Sequence, residues 1–237
     1  MTLGTHLRLA AVDFITSEYH RACEYQSRKV AARYLKHTPV KKLQIGSGSN
    51  ILSGWLNTDV SPTSNGITFM DASKRFPFED CAFDYAYSEH FIEHVDYKTG
   101  INVIKECFRV LKPAGKIRVT TPDLSFLVHL YNTEKTDLQR MYVKNLMTVF
   151  YPDCKTNEYD DAFILNTNLR AWGHRFVYNY KTLSDSLKTC GFIEVKSCHF
   201  GESDDPNLQG LEFHDRGLDD DFKKLESMTL EGIKPSS

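Results

Sequence analysis

The sequence predicts an α/β fold whose sheet is mostly parallel. Three observations predict it. Short apolar runs recur at 42–46, 55–59, 66–70, 83–88, 116–121 and 192–198. A helical pattern fills the interval between the fourth and fifth runs, near 98–112, with Ile101, Ile104, Phe108 and Leu111 on one face. A glycine turn, Gly46-Ser47-Gly48, directly follows the first run. Strand alternating with helix is the pattern of parallel strands with helices on both faces. A chain of 237 residues is long enough for one such domain with elaborations and a sizeable core.

The elements follow in order. Residues 7–37 read as one or two helices, since Leu9, Val12, Ile15 and Tyr19 recur at helical spacing and the segment has no Gly or Pro before Pro39. Residues 1–40 are thus a helical extension, and the domain proper runs over 41–216. Pro113 and Gly115 end the helix near 98–112. Residues 122–173 break the alternation and look mostly helical, with a polar middle at Pro152-Asp153-Cys154-Lys155-Thr156-Asn157. An insertion after the carboxyl end of a strand lies where open α/β sheets bind ligands, so this one is read as a cap over a substrate. Helix 181–190 leads through Gly191 into the run at 192–198. Gly201 to Asn207 is turn-rich, and Leu208 to His214 is read as a returning antiparallel strand. Residues 217–237 form a polar tail.

Composition excludes some functions. Hydrophobic content of 41% and charged content of 25% are those of an ordinary globular chain, and a formal charge of −2 gives no general attraction for nucleic acid. The ends differ in sign: residues 1–42 hold eight Lys/Arg and three Asp/Glu, residues 201–237 four and ten. Solvated faces explain this, and a homodimer is compatible with it. The six cysteines form no CxxC pair and read as reduced thiols of a cytoplasmic protein. No run of 18 apolar residues suggests a membrane span. Asp13 and Glu18 in the first apolar stretch argue against a signal peptide.

The glycine turn carries the chemistry. Gly46 and Gly48 let backbone approach a ligand closely, and the second run, Trp55-Leu56-Asn57-Thr58-Asp59, ends on a carboxylate. Asp59 can accept two hydrogen bonds from the hydroxyls of a ribose. The pieces that follow are Met70-Asp71-Ala72, the stretch Phe83-Asp84-Tyr85-Ala86-Tyr87-Ser88-Glu89-His90-Phe91-Ile92-Glu93-His94, and Arg109-Val110-Leu111-Lys112-Pro113-Ala114-Gly115.

On these motifs, over roughly residues 42–200, the chain resembles a class I S-adenosylmethionine (SAM)-dependent methyltransferase. It is similar to small bacterial and viral members, associated with polysaccharide or glycan modification, in which Gly-Trp-x-Asn-x-Asp closely follows the glycine turn. Here that motif is Gly54 to Asp59. The resemblance implies a Rossmann-like, mostly parallel seven-stranded sheet with an antiparallel last strand. It also implies that SAM is the cofactor and S-adenosylhomocysteine the product. Gly46, Ser47 and Gly48 would lie along the methionine part and ribose, and Asp59 would hold the ribose hydroxyls, with Val60 against adenine. Asp71 would meet the adenine amino group beside Ala72, and Ser88 and Glu89 would end near the sulfonium. Gln44 stands where an acid usually opens the motif, and Asn50 takes the third glycine position. With so short a linker to Asp59, no full first helix fits.

The histidines complete the reading. His90 to His94 fits the HxxEH pattern of some zinc peptidases. Those need a long helix and a distant acidic ligand, whereas this motif begins at a strand end, so no metal is expected. His90, beside the methyl group, is the favoured general base and His174 the second candidate. His94 reads as a buried, hydrogen-bonded histidine. Asp123, Trp172, Arg175 and Tyr178 are the types that hold a sugar by an aromatic platform and directed hydrogen bonds. Glu202, Glu212, His214 and Arg216 read as pairing internally. The expected function is O-methylation of a sugar hydroxyl of a glycan. The alternatives are methylation of another small metabolite at N, C or O, and a non-catalytic SAM-binding protein.

Overall fold

The computed structural model describes residues 25–132, 134–154, 161–212 and 220–236. Seven strands form one sheet: β1 (Lys42–Ile45), β2 (Leu56–Asp59), β3 (Ile67–Phe69), β4 (Phe83–Glu89), β5 (Leu111–Pro122), β6 (Ile193–Cys198) and β7 (Ser227–Ile233). Their spatial order is β3-β2-β1-β4-β5-β7-β6. The first five pair in parallel, and β7 runs antiparallel to both β5 and β6. Of the helical extension, residues 25–37 (α1) are helical, and the rest of that expectation lies outside the described residues. Between β1 and β2 there is no helix, as the short linker requires.

The register gives the sheet two unlike faces. On one, Leu43 lies opposite Leu56 and Ala86, and Ala86 opposite Ile117. This face meets α1, α2 (Tyr97–Val110) and α6 (Tyr180–Thr189) in the main core, which includes Ala31, Val103, Ile104, Cys107, Leu183 and Leu187. Both α2 and α6 start at a side-chain cap. Asp96 accepts from Thr99 N and Asn179 from Thr182 N.

The other face carries a polar row running Asn57, Gln44, Tyr87, Arg118, Glu231 from β2 to β7, all of it buried. Among the described residues its cover is irregular chain rather than helix. Trp55, Leu52, Leu208 and Leu211 pack on Tyr87 and Tyr85. Leu208 to Glu212 is therefore not a strand, as the sequence suggested. It is turn and coil whose leucines are sealed under the sheet, while His214 lies outside the described residues.

Ionic and polar contacts pin this segment. Asp205 accepts from Tyr85 Oη at 2.9 Å and Lys116 Nζ at 2.8 Å. Burial alone would raise its pKa, but these bonds and that from Asn207 N hold the carboxyl down at about 2. Arg118 has no solvent-exposed surface and donates to Glu212 and Glu231, both at 2.6 Å, and to the Glu202 carbonyl at 2.9 Å. Glu212 thus pairs internally, with an arginine of β5. Arg216, the pairing partner the sequence offered, lies outside the described residues.

The antiparallel strand is β7, inside the stretch read as a polar tail. α7 (Asp220–Glu226) precedes it. Met228 and Leu230 face the main core while Glu231 meets Arg118. The cap consists of α3 (Leu124–Asn132), α4 (Asp137–Phe150) and α5 (Asp161–Arg170). Leu130, Tyr142, Val143, Leu146, Met147 and Ile164 form a second, smaller core, closed by Phe222 of α7. Tyr142 donates to Glu226 at 2.6 Å, which ties the cap to the start of β7.

Truncating Arg118 would leave two buried carboxylates without their cation. Arg118→Leu should destabilise the protein by about 3–5 kcal/mol. Urea unfolding followed by circular dichroism measures this, and a loss under about 1 kcal/mol would show that the network is not holding segment 199–212.

Candidate active site

β1, β2, β4 and β5 all end at the same edge of the sheet, because they are parallel. The glycine turn leaves β1 with Gly46 and Gly48 at positive φ, 65° and 53°. At Gly46 there is also no room: a Cβ would lie 2.5 Å from the Phe91 ring. Gly48 N donates to Asp59 Oδ2 at 2.9 Å and Ser61 N to Asp59 Oδ1 at 2.8 Å. Asp59 thus fastens the turn to the tip of β2, and each of its oxygens keeps a lone pair for a further donor. Asn50 Nδ2 reaches Glu89 Oε2 at 3.3 Å, joining the turn to the end of β4.

The other residues expected to hold a cofactor are placed unevenly. Ser47 and Ala72 are buried and Val60 is exposed. Gln44 Oε1 and Ser88 Oγ are buried and have no hydrogen-bond partner among the described residues. Asp71 caps its own turn, accepting from Ser73 N and Oγ, and pairs with Lys74 at 3.0 Å. It sits at the rim of a cavity of about 270 Å³ between α1 and β3, lined by Ala31, Leu35, Met70, Pro77 and Phe78. Of the residues expected to hold a cofactor, Asp59 offers carboxylate lone pairs beside the glycine turn, the chemistry that ribose hydroxyls need.

Past β4 the chain makes a strained corner. His90 has φ 45°, an unusual value for a non-glycine residue, and enters the short 3₁₀ turn Ile92–His94. The corner is held from inside by Glu93, which has no exposed surface. Glu93 Oε2 accepts from Thr121 Oγ1 at 2.9 Å, and Oε1 lies 3.2 Å from His90 Nδ1. Its main-chain carbonyl accepts from the N–H groups of Arg175 and Phe176 at 2.7 and 3.1 Å. Burial would raise the Glu93 carboxyl, but His90 outweighs it and the pKa is lowered. The same pair works on His90: burial would lower its pKa, yet the bond and charge of Glu93 raise it.

This corrects the expectation for His90. Its ring is almost wholly buried, and Nε2 is also engaged, 3.0 Å from Ser227 Oγ. His174 is better presented. Its Nδ1 lies 2.6 Å from the Asn168 carbonyl, an acceptor, so Nδ1 carries the proton and Nε2 a lone pair. Burial lowers its pKa against the effects of that bond and of Glu93, which favours the neutral ring. His94 is only half-buried and stands edge-on to His174, centroids 5.0 Å apart. Neither ring nitrogen is hydrogen-bonded among the described residues, unlike the sequence expectation.

The proposed substrate residues separate. Trp172 is 52% exposed, packs edge-on against Phe150 and leans on His174 at 5.5 Å. Arg175 is exposed beside it. Asp123 holds Ser125 N at the start of α3, a capping contact at the carboxyl end of β5. Tyr178 is not at the surface: it is fully buried in the main core, its hydroxyl over Gly100, with Phe176 and Tyr97 against its ring. It is a packing residue. Glu93 is the residue that sequence reasoning passed over, because it was absorbed into a motif set aside as coincidence.

Comparison with known proteins gave one family match and distant structural neighbours. Residues 43–119 match a family model described as a methyltransferase domain. No curated protein matches the chain. Among solved structures, a SAM-dependent methyltransferase from Methanosarcina mazei is 18% identical, with TM-score 0.49 over 88% of this chain and 98% of that one. One from Mesorhizobium loti is 15% identical, with TM-score 0.49 over the same shares. Phosphoethanolamine N-methyltransferase 2 from Haemonchus contortus, solved with S-adenosylhomocysteine, is 16% identical with TM-score 0.45; the match covers 89% of this chain and 52% of that one. The chain thus spans about half the length of that protein. Residues 43–119 thus match a methyltransferase domain, and the sheet order and the glycine turn held by Asp59 are consistent with that match.

Proposed function

We propose that the protein transfers the methyl group of SAM to a hydroxyl of a sugar or glycan, with His174 as the proton acceptor. SAM would lie over the glycine turn, its ribose hydroxyls on Asp59 and its sulfonium toward Ser88 and Glu89. The acceptor oxygen forms its bond to the methyl carbon as the carbon–sulfur bond breaks. The electron pair goes to sulfur, giving S-adenosylhomocysteine, and the hydroxyl proton goes to His174 Nε2 and then to water. The protein's task is alignment of acceptor, carbon and sulfur in line. A neutral imidazole suits the removal of the proton at neutral pH.

One observation carries the choice of acceptor. A half-open indole, Trp172, stands beside a neutral imidazole whose tautomer the protein fixes. An apolar sugar face can stack on the first while one of its hydroxyls points at the second. Arg175 and Asp123 supply charge-assisted bonds to neighbouring hydroxyls. No described helix is long and apolar enough to cross a membrane. A cytoplasmic glycan precursor is the substrate this reading favours.

Two experiments test it. Purified protein with SAM, incubated with a panel of glycosides, amines and lipids, should add one methyl group to a glycoside, as seen by mass spectrometry. Methylation of amines or lipids with none on any sugar would overturn the acceptor. His174→Ala should lower kcat by about 10²–10⁴ while S-adenosylhomocysteine still binds. A variant with near-normal kcat would remove histidine from the proton transfer.

A further inference from the structure

We propose that Glu93, His94 and His174 form a binding site for a divalent first-row transition ion at the mouth of the sheet. The sequence argued against a metal because the HxxEH pattern needs a long helix and a distant acidic ligand, whereas here it begins at a strand end. The fold keeps the motif off any long helix but assembles a different donor set from it. His90 and Glu93 face each other inside the corner, so His90 is a partner of the carboxylate. The distant ligand is His174, delivered by the chain returning from the cap. One carboxylate oxygen and two imidazole nitrogens then lie within 4.8 Å of one another.

Each donor is prepared for a cation. Glu93 Oε1 is buried, and its partner among the described residues is the His90 nitrogen at 3.2 Å. Thr121 fixes the other oxygen of the same carboxylate at 2.9 Å. His174 gives Nδ1–H to a backbone carbonyl and keeps Nε2 bare, the outer-shell arrangement that orients histidine ligands. His94 has a ring free to turn toward the same point. Two imidazoles and one carboxylate are a donor set for zinc and its neighbours rather than for magnesium or calcium. With bonds of about 2.1 Å, the donors of a tetrahedral site stand about 3.4 Å apart, so they must close by about 1 Å or a little more. Rotation of the His94 ring, with a small shift of the His174 ring about its bond to the Asn168 carbonyl, supplies that movement. Tetrahedral coordination would leave a fourth position for an outside ligand beside the exposed Trp172, which neighbours His174.

The inference rests on the methyl-transfer reading for its consequence alone. A loaded site takes the His174 Nε2 lone pair, and an acceptor hydroxyl bound at the open position would instead be acidified by the cation and lose its proton to water. Binding itself needs no SAM.

The test uses chelator-stripped, full-length protein without SAM, titrated with Zn²⁺ by calorimetry and with Co²⁺ by visible absorption. One equivalent should bind per chain, with a Co²⁺ spectrum of nitrogen and oxygen ligation. His94→Ala and His174→Ala should each weaken binding by about 10-fold or more, whereas Cys81→Ser, at an exposed free thiol, should leave it unchanged. Circular dichroism establishes that the variants are folded. No stoichiometric binding to the wild type, or binding that both histidine variants retain, would overturn the proposal. Titration of the same samples with S-adenosylhomocysteine separates the two readings: a protein that takes the cation but not the nucleoside keeps this site and loses the methyl-transfer assignment.

Discussion

A carboxylate buried without solvent must be matched where it stands, and at the carboxyl edge of this sheet Glu93 imposes that requirement on everything around it. Its oxygens bring in Thr121 from the end of β5 and His90 from the corner after β4. Its carbonyl takes the two N–H groups of the chain returning from the cap, which sets where His174 arrives. His90 in turn reaches Ser227 at the start of β7. Four separate segments are therefore positioned by one residue and its immediate partner. The φ of 45° at His90 is the local strain that this arrangement sustains.

The polar face of the sheet obeys the same rule on a larger scale. A guanidinium at the centre of β5 is admissible only because β7 and segment 199–212 each supply a carboxylate at 2.6 Å. This explains why the face is closed by irregular chain: a packed helix presents apolar side chains, while a loop can aim acids and carbonyls at a buried cation. The apolar face, by contrast, is filled by α1, α2 and α6 in the ordinary manner of α/β folds.

Much of this was legible in sequence. The six apolar runs and the helix near 98–112 carried their own periodicity, and the glycine turn with Asp59 is local enough to read directly. β7 was hidden because its signal is mixed. Met228 and Leu230 alternate correctly, but Glu231 and the acids of 219–226 look like a solvated tail until Arg118 is known to meet them. Leu208 and Leu211 gave the opposite error: an apolar pair suggested a strand, where the leucines only plug the polar face. Tyr178 looked like a substrate residue because polar and aromatic residues alternate from Trp172 to Tyr178, a pattern that does not show which of them turn inward. The approach of His174 to within 4.8 Å of Glu93 depends on a return of the chain that no local pattern encodes.

We propose one nucleoside site over the glycine turn, its sulfonium end toward Ser88 and Glu89 and the corner that carries Glu93 and His94. Backbone amide shifts of ¹⁵N-labelled protein titrated with S-adenosylhomocysteine test it most directly. The account predicts saturable shifts at Gly46, Ser47, Gly48, Val60 and Glu89, extending to His94, with little change along 196–209. No saturable shift at the glycine turn, or shifts confined to residues 196–209, would contradict it.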